Sequence, residues 1–130
     1  MGGEKNLVSG EKRVIVGGRQ NALVSNSGTL VGGTNNQISG GNREFLGCGN
    51  ENRIINSKSG FIGAGGLNVV EDSLAGGISA GFSNNVTGST YGFVTAGNLN
   101  DVINSHSAVI GGGSENKIEN SPGSFIGGGD

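Results

Sequence analysis

The chain contains no tryptophan, and tyrosine, methionine, proline, histidine and cysteine occur once each. With five phenylalanines as the other aromatics, its 130 residues hold too few bulky apolar groups for an ordinary globular core. The single cysteine, Cys48, excludes an internal disulfide framework. No apolar run approaches the roughly 18 residues of a membrane-spanning helix. Charge is sparse and balanced, with eight Lys and Arg against ten Asp and Glu. Without a basic stripe there is no electrostatic basis for binding nucleic acid. Glycine alone is abundant, at 29 residues, but it does not recur at every third position, which excludes a collagen helix.

What the sequence does contain is a regular beat. Asparagine recurs at Asn6, Asn21, Asn36, Asn52, Asn68, Asn84, Asn100 and Asn116, at intervals of 15, 15 and then 16 residues. Three residues before each stands a glycine (Gly3, Gly18, Gly33, Gly49, Gly65, Gly81, Gly97, Gly113), and two after each an aliphatic side chain (Val8, Leu23, Ile38, Ile54, Val70, Val86, Val102, Ile118). Eight such units fill residues 1–130, which read as a single repeat domain. Both ends fall inside a unit, so the chain is expected to be a segment of a longer fibrous protein.

With the asparagine as position zero, position minus six is always aliphatic: Ile15, Leu30, Leu46, Ile62, Ile78, Val94, Ile110 and Ile126. Positions minus four (Gly17, Gly32, Cys48, Ala64) and minus eight (Gly60, Gly76, Gly92, Ala108) are mostly small. Alternation along a strand would place all three on one face, lining a narrow interior. Four residues after the asparagine come Gly10, Ser25, Gly40, Asn56, Asp72, Gly88, Asn104 and Asn120, types that bend a chain or tolerate positive φ. Each unit thus reads as strand, glycine bend, strand, bend. Stacked in parallel about 4.8 Å apart, the units predict an all-β solenoid or β-roll of eight turns, a rod of roughly 40 Å. The asparagines and glycines are expected to be structural residues of the turns, each amide bonding its neighbours or the bend backbone.

Position minus seven lies on the opposite strand face and holds Val14, Thr29, Phe45, Phe61, Gly77, Phe93, Val109 and Phe125, four of the five phenylalanines. Strands apolar on both faces need cover on both. The expected cover is another copy of the chain, with Val14, Phe45, Phe61, Phe93, Val109 and Phe125 at the interface.

Catalysis needs unlike residues brought together, whereas repetition yields columns of like ones. His106 follows a bend and is expected in solvent, and Cys48 is expected as an inert thiol within the small interior column. The carboxylates have no metal-ligand spacing, and the calcium-binding glycine–aspartate repeat is missing. Thr29, Thr34, Thr87, Thr90 and Thr95 share no column, which excludes a threonine ice-binding array. Neither an enzyme, a metal nor a cofactor is expected. The positions that vary lie at the bends, where Arg19, Lys58, Leu67, Phe82, Tyr91, Leu99 and His106 are candidate partner contacts.

Segments such as Ser107 to Ile118 and Ser124 to Gly129, with Asn104-Ser105 and Asn120-Ser121 at the following bend, resemble the YadA-like head repeats of trimeric autotransporter adhesins. The interval here is 15 to 16 residues where those heads repeat at about 14, and comparable repeats occur in phage and virus fibres. The resemblance implies a parallel homotrimer, extracellular, on a bacterial surface or a virion fibre. It implies attachment to a host surface protein or glycan. The alternative is a phage or virus tail-fibre segment for receptor binding, with or without a polysaccharide-degrading site elsewhere or between chains.

Overall fold

The computed structural model describes residues 2–130. Every strand is two or three residues long, and every pairing is parallel. The three-residue strands, such as Ala22–Val24, Gln37–Ser39, Arg53–Ile55 and Val69–Glu71, stack into one eight-stranded sheet. The two-residue strands, such as Val14–Ile15, Thr29–Leu30, Phe45–Leu46 and Phe61–Ile62, stack into a second. A third line of single-residue bridges joins Glu4, Arg19, Thr34, Asn50, Gly66, Phe82, Asn98 and Ser114 in order. Each strand pairs with its counterpart one repeat away, as in Ile38 opposite Ile54 and Phe45 opposite Phe61. The chain is a parallel β-solenoid of eight turns.

Two aliphatic columns form the interior. Leu23, Ile38, Ile54, Val70, Val86 and Val102 face it from the first sheet, and Leu30, Leu46, Ile62, Ile78, Val94 and Ile110 from the second, all at 0 % exposure. Each burial stabilises by roughly 1.5–3 kcal/mol. Two such side chains per turn make a thin core, so backbone pairing between turns must carry much of the order.

The second-sheet strands end sooner than alternation suggested. They stop at position minus six, and the chain bends at minus four, so the small residues there leave the interior face. Cys48 is exposed as a result, contrary to the expected buried thiol. Position minus eight does line the interior, with Gly28, Glu44, Gly60, Gly76, Gly92 and Ala108 buried.

The shorter turns also differ at one corner. Gly40, Asn56, Asp72, Gly88, Asn104 and Asn120 adopt positive φ, between 47° and 65°, but Ser25 does not. Ser25 is buried instead, because its 15-residue turn omits the left-handed residue and moves the serine into the position held by Ser57 in the fourth turn.

Candidate functional site

Two hydrogen-bonded spines hold the rod's surface in place, one along its whole length and one from the fourth turn onward. The asparagines form the first. From Asn21 to Asn116, each backbone N–H donates to Oδ1 of the asparagine one turn before, at 2.9–3.1 Å. Each side-chain Nδ2 donates to the repeat glycine carbonyl one turn ahead, at 2.8–3.0 Å. From Asn36 onward Nδ2 also reaches the preceding Oδ1, at 3.0–3.2 Å. The amides of Asn21, Asn36, Asn52, Asn68, Asn84 and Asn100 are thereby buried with both ends satisfied.

The repeat glycines receive these bonds in a conformation closed to other residues. Gly18, Gly33, Gly49, Gly65, Gly81, Gly97 and Gly113 have φ between 90° and 121°. A β-carbon on Gly65 would overlap the carbonyl oxygen of Gly81 and come within 2.8 Å of the Asn68 amide.

A column of serines forms the second spine, which the asparagine frame alone did not single out. Ser73, Ser89, Ser105 and Ser121 each donate a backbone N–H to the serine Oγ one turn earlier, at 3.0–3.3 Å. Each hydroxyl from Ser57 onward donates to the carbonyl two residues back, at 2.8–3.1 Å. The signal was present as serine directly after Asn56, Asp72, Gly88, Asn104 and Asn120.

The residue before each asparagine is forced into the left-handed region although none is glycine. Lys5, Gln20, Asn35, Glu51, Leu67, Ser83, Leu99 and Glu115 have φ of 54–58°. Their N–H groups, from Gln20 onward, donate back to the bridging residue of the previous turn, as Leu67 does to Asn50 at 3.0 Å. This places Leu67 and Leu99 outward, in the same surface region as Phe82, whose ring covers Gly66.

The outer row of the second sheet is open. Val14 is 51 % exposed, Phe45 38 %, Phe61 37 % and Phe125 71 %, while Phe93 and Val109 are half-buried. The Phe45 and Phe61 rings stack at 5.7 Å, and the Phe93 ring covers Gly77, so the apolar stripe continues past the missing side chain. The first sheet's outer face instead mixes Leu7, Val24, Ile55, Val69 and Ile103 with Gln37, Arg53, Glu71, Asp101 and Lys117. On the corners, Arg19, Lys58, Tyr91 and His106 are exposed, and Tyr91 meets His106 edge-on at 5.8 Å.

No group of three or more His, Cys, Asp or Glu side chains converges among the described residues. A groove of about 470 Å³ opens at the last turn, lined by Ile118, Ile126, Ser121, Ser124 and the Lys117–Glu119 ion pair. No protein-family model matches the chain, and no curated protein matches it significantly.

Proposed function

We propose that this chain is a structural and adhesive segment of an extracellular fibre. Copies pack side by side through the phenylalanine-bearing sheet and present their corners to a host surface protein or glycan. The one-sided exterior carries this reading. An apolar stripe bearing four phenylalanines runs along one sheet from Val14 to Phe125, while the other sheet mixes aliphatic with polar and charged side chains and carries no aromatic. A thin rod cannot cover that stripe with its own chain, and a second copy can. Three parallel copies are favoured by the resemblance to trimeric autotransporter heads.

The corner residues Arg19, Lys58, Leu67, Phe82, Tyr91, Leu99 and His106 differ from turn to turn on a frame that does not. Such variation suits recognition of a partner better than catalysis, and a bacterial surface and a virion would both use it. Light scattering tests the assembly: three chain masses are expected, and a stable folded monomer would overturn it. Incubation with host polysaccharide separates binding from cleavage, since release of reducing ends would replace the adhesive reading with that of a degrading fibre.

A further inference from the structure

Counting back from each following asparagine, position minus eleven holds Gly10, Ser25, Gly41, Ser57, Ser73, Ser89 and Ser105, and Ser121 continues the column. Position minus eight, three residues later in every turn, holds Arg13, Gly28, Glu44, Gly60, Gly76, Gly92, Ala108 and Ser124. The two columns compensate each other. Where the first is serine the second is small, and where the first is glycine the second is charged.

The packing explains the exchange. A β-carbon on Gly60 would come within 3.0 Å of Ser57 Cβ, and one on Gly92 within 2.7 Å of Ser89 Cβ. Conversely, a β-carbon on Gly10 would overlap the Arg13 guanidinium, and one on Gly41 would overlap Oε1 of Glu44. Guanidinium and carboxylate thus fill the corner beside glycines whose φ of 115° and 71° the serines do not share. Toward the first turn the corner is occupied by Glu44, Ser25 and Arg13 in place of the serine ladder.

These three residues also hold every buried side-chain polar atom that lacks a hydrogen-bond partner among the described residues: both carboxylate oxygens of Glu44, the Ser25 hydroxyl, and Nε and Nη1 of Arg13. A serine hydroxyl donates and accepts, and so does a protonated carboxyl; an ionised carboxylate only accepts. The same added β-carbon at Gly41 would overlap the carbonyl oxygen of Ser57, so Glu44 stands beside a second acceptor.

We propose that Glu44 is a proton-dependent rung of the serine spine. Protonated, its carboxyl donates to the Ser57 carbonyl one turn ahead and locks the second to fourth turns in register. Ionised, it can only accept, and the corner loosens, with Arg13 as the counter-charge that limits the loosening. Burial holds the Glu44 carboxyl above its ordinary value of 4.5, while its own backbone N–H, Ser25 and Arg13 pull the other way without reversing the shift. Arg13 acts through its charge. The other charged groups of this corner, Glu11, Lys12, Arg43 and Lys58, are exposed.

The direction follows from linkage. A carboxyl raised in the folded state contributes stability that is whole below 4.5 and is lost as pH rises through the folded value. Hydrogen exchange on the full chain, corrected for intrinsic rates, tests this between about pH 4 and about pH 8. Protection around Ser25, Gly41 and Ser57 should fall with rising pH, by roughly tenfold for each unit that Glu44 is raised. Protection around Ser89 and Ser105 should not change. Glu44→Gln, neutral with both donor and acceptor, should abolish the fall, and Arg13→Gln should steepen it. An unchanged pH dependence in Glu44→Gln would overturn the proposal. So would an ordinary carboxylate titration of Glu44 by carbon-13 NMR in the unmodified chain, a measurement that needs no variant to fold.

Discussion

Asn84 donates both its backbone N–H and its side-chain amide to the one Oδ1 of Asn68, at 3.0 and 3.1 Å. Truncating Asn68 would therefore leave two buried donors on Asn84 with one acceptor fewer, and the carbonyls of Ala64 and Gly81 with a donor fewer. Asn68→Ala is expected to destabilise the rod by about 3–5 kcal/mol in urea unfolding. Asn6→Ala, at the half-exposed first rung, should cost less than about 1 kcal/mol. Equal losses at the two positions would show that the ladder is not what the amides contribute.

Neighbouring positions in the glycine bend respond in opposite directions. Gly65→Ala should cost several kcal/mol, about 3 or more, because backbone of the next turn fills the space and φ is +108°. Leu67→Gly relieves a non-glycine left-handed residue that is 41 % exposed, and should be neutral or stabilising by up to about 1 kcal/mol. Thermal unfolding of both variants separates conformational strain from burial.

The compensating corner columns invite a double-mutant cycle. Gly41→Ser alone collides with Glu44, and Glu44→Gly alone empties the rung. Together they remove the Glu44 collision, although the new side chain at 41 still meets the Ser57 carbonyl at a φ of +71°, so a favourable coupling of about 1–3 kcal/mol is expected within a destabilised double variant, from denaturation of the four proteins. Additive effects would separate the two sites.

Phe61→Ser with Phe93→Ser removes two rings from the apolar stripe without touching the interior columns. Light scattering should then report single chains where the unmodified protein reports an assembly, with the β-sheet circular dichroism retained.

Cys48 is exposed, so its thiol should react with a disulfide reagent in the folded protein about as fast as in the unfolded one. Strong protection in isolated chains would place it back inside the fold.

The asparagine ladder was legible because Asn21 through Asn100 hold one role in every turn, and a strict column survives without knowledge of neighbours. The same holds for the aliphatic pair, such as Leu23 and Leu30. Cys48 was misplaced because alternation was extended beyond a two-residue strand, Phe45–Leu46, into a bend. Ser25 was misassigned because counting forward from its asparagine ignores the residue that its shorter turn omits. The left-handed state of Gln20, Glu51 and Leu67 leaves no mark in their side chains, since backbone bonds to the previous turn impose it. Glu44 was hidden for a related reason: its fit depends on Gly41, and no other turn has a glutamate at that position.

Because every strand pairs only with the turn before and the turn after, the inter-turn hydrogen bonds lie along the rod, in line with any pull on its ends. A fibre built this way should yield under tension by peeling one turn at a time, releasing roughly 50 Å of chain per event. The turns around Arg13, Ser25 and Glu44, whose spine has unpartnered atoms, should give way first and act as a mechanical fuse for the rest.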